Sequence, residues 1–124
     1  LNLITSKIIQ AAITVHRELG PGLLESVYQS CMFIELKDSG LNVKSEHPVA
    51  VTYREHLVHD SGFRMDLLVE NLVVVELKSL SAVQPVHVKQ LLTYLRLSNK
   101  KLGLLINFGE NRLKDGITRV ANDL

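Results

Sequence analysis

A chain of 124 residues, 46% of them hydrophobic, with a net charge of +1, is the size of one domain with one core spanning residues 1–124. The single cysteine, Cys31, excludes an intrachain disulfide, a four-cysteine zinc site and a cysteine-ligated iron–sulfur cluster. No apolar run approaches the roughly 18 residues of a membrane span and no signal-peptide pattern is present. The expectation is a cytoplasmic protein with no membrane partner, whose near-neutral charge does not by itself argue for nucleic acid.

Thr5 is expected to cap a first helix reaching Leu19, with Ile4, Ile8, Ala12, Val15 and Leu19 as its apolar stripe. His16, at the edge of that stripe, reads as a core-rim histidine. Gly20-Pro21-Gly22 stops this helix and starts a second, which runs to Lys37. Its buried stripe is predicted to be Leu24, Val27, Tyr28, Cys31 and Ile34, with Cys31 a core thiol. Glu25 lies in the first turn near the edge of the stripe, where a carboxylate complements the helix dipole. Spacing leaves open whether it serves the dipole or a site. Ser39-Gly40 ends the helix.

Val43 to Tyr53 alternates as a strand, with Pro48 marking an edge position or a bulge. Arg54-Glu55-His56 is a polar turn, Leu57 to His59 begins the next strand, and Asp60-Ser61-Gly62 is a turn or bulge. His47, His56 and His59 have no ligand spacing with another His or Cys and read as surface residues. Leu67 to Val69 and Leu72 to Val75 then form a buried hairpin with Asn71 at the bend.

Asp66, Glu76 and Lys78 interrupt this apolar hairpin. Charges are rarely buried unless they are paired or hold a metal, and residues two apart on a strand face the same way, so Glu76 and Lys78 share a side. A two-residue turn would place Asp66 opposite Val75, pointing away from Glu76. An odd-length turn or a bulge, with Asn71 near the left-handed region, would put both carboxylates on one face. The arrangement then suits a divalent cation. A structural ion pair is the plainer reading of the same residues.

Ser79 to Gln84 is a loop, and Pro85 opens a helix through Leu97 whose core face is Val88, Leu91, Leu92 and Leu95. His87, Gln90 and Tyr94 form a second stripe beside it, either a solvated polar face or one that looks onto the carboxylates. Lys101 to Phe108 is a further buried strand, and Leu113 to Val120 is a last short strand or helix. From Arg96 to Arg119 the chain is rich in Lys and Arg. Arg96, Lys100 and Lys101 are candidates to track phosphates, and a solvated surface explains them equally. The order α-α-β-β-β-α-β predicts an α/β fold, a mixed central sheet flanked by helices.

Asp66, then Glu76-Leu77-Lys78, then a helix carrying Gln90 and Tyr94, resembles the PD-(D/E)xK nuclease superfamily. Gly22-Leu23-Leu24-Glu25-Ser26-Val27-Tyr28 matches the Gly-x-x-Glu-x-x-Tyr signature of one family within it. Val15 to Gly22, Gln90 to Leu95 and Gly103 to Gly109 are similar to that family too. Met65 stands where the superfamily often has proline. The resemblance implies a restriction-endonuclease-like core. It further implies that Asp66, Glu76 and the Leu77 carbonyl hold Mg²⁺ or Mn²⁺, and that Lys78 orients or deprotonates the attacking water or stabilises the phosphate. Glu25 would be an additional acid at the metal or its waters, and Gln90 and Tyr94 would border the site. A hard cation neutralises phosphate and acidifies bound water, which phosphodiester hydrolysis needs. The expected activity is a metal-dependent nuclease acting on DNA, working as a homodimer that doubles the basic surface. Two other readings are a non-catalytic nucleic-acid-binding or protein-interaction module on the same fold, and a domain that binds metal without cutting.

Overall fold

The computed structural model describes residues 1–123, the side chains at 61 and 62 excepted. Its elements are α1 (Asn2–Leu19), α2 (Glu25–Asp38), β1 (Val43–Tyr53), β2 (His56–Val69), β3 (Val73–Lys78), α3 (Pro85–Ser98), β4 (Leu102–Asn107), a 3₁₀ turn (Leu113–Gly116) and β5 (Ile117–Ala121). The five strands lie in the order β1-β2-β3-β4-β5. β3 and β4 are parallel and the other neighbours antiparallel. A parallel pair needs a crossover, and α3 supplies it. This is the mixed α/β architecture expected, with a restriction-endonuclease-like arrangement of sheet and helices.

The sheet separates two cores. Ile8, Ala12, Val15, Tyr28, Met32 and Leu36 from α1 and α2 pack against Leu67, Val69, Val73, Val75 and Leu77. On the other side Leu91, Tyr94 and Leu95 of α3 pack against Met65, Leu68, Val74 and Leu105. Both faces of β3 and β4 are therefore covered, which is why their sequences read as continuous apolar runs.

Several sequence-based expectations shift. Helix α1 begins at Asn2, and Thr5 lies inside it with its hydroxyl donating to the Leu1 carbonyl at 2.8 Å; it does not cap the helix. Helix α2 starts at Glu25, and its buried residues are Tyr28, Met32 and Leu36. Leu24, Val27 and Ile34, predicted to be buried, are 74%, 38% and 57% exposed. The helix is apolar on too many sides for periodicity to choose a face, and the choice is made by Tyr28 stacking on Phe108 with ring centroids 4.4 Å apart. In α3, Leu91 and Leu95 are buried as expected, while Val88 and Leu92 are half-buried against the same core.

Between Val49 and Val51 the β1–β2 register shifts, so that Val49 pairs with Phe63 and Val51 with His59. Of the turn or bulge expected at residues 60–62, the structure has the bulge, inside one long strand; the side chains at 61 and 62 lie outside the described residues. The last segment is both a short helical turn and a strand, β5.

Candidate functional site

Register decides the site. Leu67 pairs with Val75 and Val69 with Val73, leaving residues 70–72 as an odd-length turn. Glu70 and Asn71 take left-handed φ values of 53° and 56°, a conformation that Asn tolerates best among non-glycine residues. Continued one position, this register sets Asp66 opposite Glu76. The two side chains do meet. The Asp66 backbone N–H donates to Glu76 Oε1 at 3.3 Å, and the Leu77 N–H donates to Asp66 Oδ2 at 2.7 Å.

The pair lies at a discontinuity. Val43, Leu67 and Val69 face the α1–α2 core, whereas Val49 and Met65 face α3. Alternation along both β1 and β2 is therefore broken between these positions. The ladder pairs Ser45 with Leu67 and His47 with Met65 but omits Glu46 and Asp66 between them. Glu46 has φ 53°, and its carbonyl accepts from Arg64 at 3.1 Å. The bend frees Asp66 from the strand ladder at the point where it meets Glu76. Nothing in the sequence singled out Glu46, since a lone glutamate in a strand carries no signal.

Burial is the largest influence on both carboxylates. It pushes Glu76, 8% exposed, up to about 8, with repulsion from Asp66 second and the nearby Lys78 charge opposing. Asp66 is also raised, by burial first, then by Glu46 and Glu25, against the Leu77 hydrogen bond and Lys78. Tyr94 is raised by burial and then by the charges of Glu76 and Asp66. Glu76, Lys78, Glu25, Glu46 and Tyr94 thus each lie within electrostatic reach of Asp66.

The supports are specific. Tyr28 is fully buried; its hydroxyl donates to the Gly20 carbonyl at 2.5 Å and accepts from the Leu23 N–H at 3.1 Å. It thereby pins the Gly20–Gly22 loop, whose glycines at φ 72° and 100° hold left-handed conformations, and so fixes where α2 presents Glu25. The Ser79 hydroxyl donates to the Leu23 carbonyl at 2.6 Å and ties the exit of β3 to that loop. Asn107, buried at the end of β4, accepts from the N–H groups of Leu80 and Gly109 and donates to the Leu80 carbonyl. It fixes the loop that follows Lys78.

Other predicted residues are placed differently. Gln90 is exposed, one turn before Tyr94. His87 serves the N-terminus of α3, its Nδ1 accepting from the Gln84 N–H at 3.0 Å. Arg96 is exposed. Lys100 donates to the Asn71 carbonyl at 3.0 Å, and Lys100 and Lys101 border a cleft with Leu72 and Asn99 at the hairpin turn. That turn is five residues from Glu76 along the chain, about 16 Å at strand rise. Lys100 and Lys101 thus lie at the turn end of the hairpin.

A sequence model described as the PD-(D/E)XK nuclease superfamily matches residues 2–120. The chain belongs to the PD-(D/E)XK nuclease superfamily. Comparison with curated proteins and with solved structures gave no match. Nucleases of this superfamily generally use divalent metals, and the donors here fit that chemistry. Two crowded carboxylates, held by backbone N–H groups, are hard oxygen ligands. Mg²⁺ commonly takes one or two carboxylates and keeps several waters. Among the described residues no group of three His, Cys, Asp or Glu side chains able to hold a metal ion is found. No helix is long and apolar enough to cross a membrane.

Proposed function

We propose that the chain is a divalent-cation-dependent phosphodiesterase acting on DNA, of the Gly-x-x-Glu-x-x-Tyr kind. The observation that carries this reading is the crowding of Asp66 and Glu76. Two half-buried or buried carboxylates side by side with raised proton affinity are costly unless a cation takes the proton's place. Asp66, Glu76 and the Leu77 carbonyl would hold Mg²⁺ or Mn²⁺, which when bound neutralises phosphate charge and acidifies water.

The chain's own residues do the rest. Lys78, on the same face as Glu76, as an ammonium orients the attacking water or holds the phosphate's growing charge, or as a neutral amine takes the water's proton. The water oxygen bonds to phosphorus as the bond from phosphorus to the leaving sugar oxygen breaks. Glu25 reaches the site from the start of α2 as an acceptor for waters. Tyr94 walls the site from α3, and Gln90, one turn earlier, borders its outer edge.

The test is cleavage of a panel of DNA forms with Mg²⁺ or Mn²⁺ by the native chain, Glu76→Ala and Lys78→Ala. Metal-dependent cutting that both variants lose is the expected result. No cutting, or equal cutting by all three proteins, overturns the nuclease reading in favour of a binding module.

A further inference from the structure

A cleft of about 430 Å³ runs between α2 and β1, lined by Ser26, Gln29, Ser30, Phe33, Ser45 and Glu46 among others. We propose that this cleft takes an unpaired nucleotide of the substrate strand, beside the phosphate cut at Asp66 and Glu76; the proposal deepens the nuclease reading and rests on it.

Position is the first argument. Glu46 lines the cleft, and its charge reaches Asp66; Ser26 follows Glu25, whose charge does too. One wall of the cleft, at Glu46, therefore lies within electrostatic reach of Asp66. Chemistry is the second. Its polar groups are chiefly uncharged: three serine hydroxyls and the Gln29 amide, which donates to Ser45 Oγ at 3.2 Å. Such groups supply both donors and acceptors, which is what the Watson–Crick edge of an unpaired base requires. Phe33 adds a ring, and the Lys37 ammonium lies 5.9 Å from its centroid. An aromatic platform with one cation nearby is how single strands are held without a continuous basic track. A duplex backbone calls for several Lys or Arg contacts, and among the described residues no Lys or Arg lines this cleft. Its volume falls within the roughly 300–1,000 Å³ of small-ligand sites. An entering base stacks on Phe33 and shifts Lys37 towards its own phosphate.

The test is fluorescence anisotropy with a labelled single-stranded oligonucleotide, the blunt duplex of the same sequence and a duplex with an overhang. Ca²⁺ replaces Mg²⁺, so that binding is read apart from cutting. The native chain should bind the single strand and the overhang more tightly than the blunt duplex. Phe33→Ala should weaken single-strand binding by about 5- to 140-fold, the equivalent of about 1–3 kcal/mol of base stacking, and leave duplex binding unchanged. Phe33→Trp should restore it, and Phe33→Leu, which keeps the apolar bulk, should not. Equal binding of all three ligands, no binding of any, or a native affinity retained in Phe33→Leu would overturn the proposal. So would a change of oligomeric state with Phe33→Ala, which would mean that a second copy covers this face. Single-strand binding that depends on Phe33 in a chain that cuts nothing would sink the nuclease reading and leave the cleft assignment standing.

Discussion

The two ends of β3 handle charge in opposite ways. At the turn end charged groups meet backbone partners: Lys100 donates to the Asn71 carbonyl, and Glu70 Oε2 accepts from the Asn42 N–H at 2.6 Å. At the other end Asp66 and Glu76 are held against each other; burial raises both, with repulsion from Asp66 adding at Glu76 and repulsion from Glu46 and Glu25 adding at Asp66. The first end closes a hairpin and gains from its charges. The second keeps a local conflict that a fold alone has no reason to keep. That contrast, more than the presence of acidic residues, marks the site.

The largest effect should come from removing a member of the strained end. Glu76→Ala or Lys78→Ala should lower kcat by at least about 100-fold, the range for losing one charge-stabilising group in an enclosed site, with the fold retained by circular dichroism. Next is Asn107→Ala. It leaves the Leu80 N–H, the Leu80 carbonyl and the Gly109 N–H without their partner, and a buried group so orphaned costs about 1–3 kcal/mol. Urea denaturation should show a loss of at least about 2 kcal/mol. Gly109→Ala at the same corner should be severe as well, because a Cβ there would meet the Leu80 carbonyl and its neighbouring backbone atoms.

The same contrast explains what the sequence disclosed. Period-two patterning placed the hairpin, and the parity argument required the odd-length turn that Val69 and Val73 enclose. Tyr94 was legible as a residue beside the core because α3 has one clear apolar stripe. Helix α2 was misread because apolar residues surround it, and only the long-range stack of Tyr28 on Phe108 selects its buried face. Glu46 was invisible, since its role depends on a bend shared by two strands. Arg96, Lys100 and Lys101 are near in sequence, but the crossover through α3 carries the last two to the turn end.

A pH titration of stability sharpens the comparison at the next level. Glu76 is protonated in the folded chain up to about 8 but ionises at its ordinary 4.5 when unfolded. Folding therefore takes up a proton between those values, so stability falls as pH rises through that window. Asp66, raised in the same direction, adds to the fall. Without metal, Tm should drop from pH 5 to pH 8.5, and Glu76→Gln should flatten the drop. Mg²⁺ or Mn²⁺ should restore Tm most at the alkaline end, because cation and proton compete for one site. A concentration of about 100 times Kd stabilises by about 2.7 kcal/mol. A metal-induced rise that is equal at pH 5 and pH 8.5 would place the cation elsewhere.

The smallest effects belong to the turn end, and their smallness is informative. Lys100→Ala removes an exposed ammonium from the Asn71 carbonyl, and Glu70→Ala removes an exposed acceptor from the Asn42 N–H. Solvent replaces both partners, so each change should cost no more than about 1 kcal/mol. Neither should alter the metal-induced rise, because Glu76 stands about 16 Å from the turn along the strand, beyond the screening length of roughly 8 Å at physiological salt. A large loss of DNA binding in Lys100→Ala would break the comparison. It would show that the substrate spans the sheet from the carboxylates to the turn, and that the quiet end contributes by binding phosphate at a distance from the chemistry.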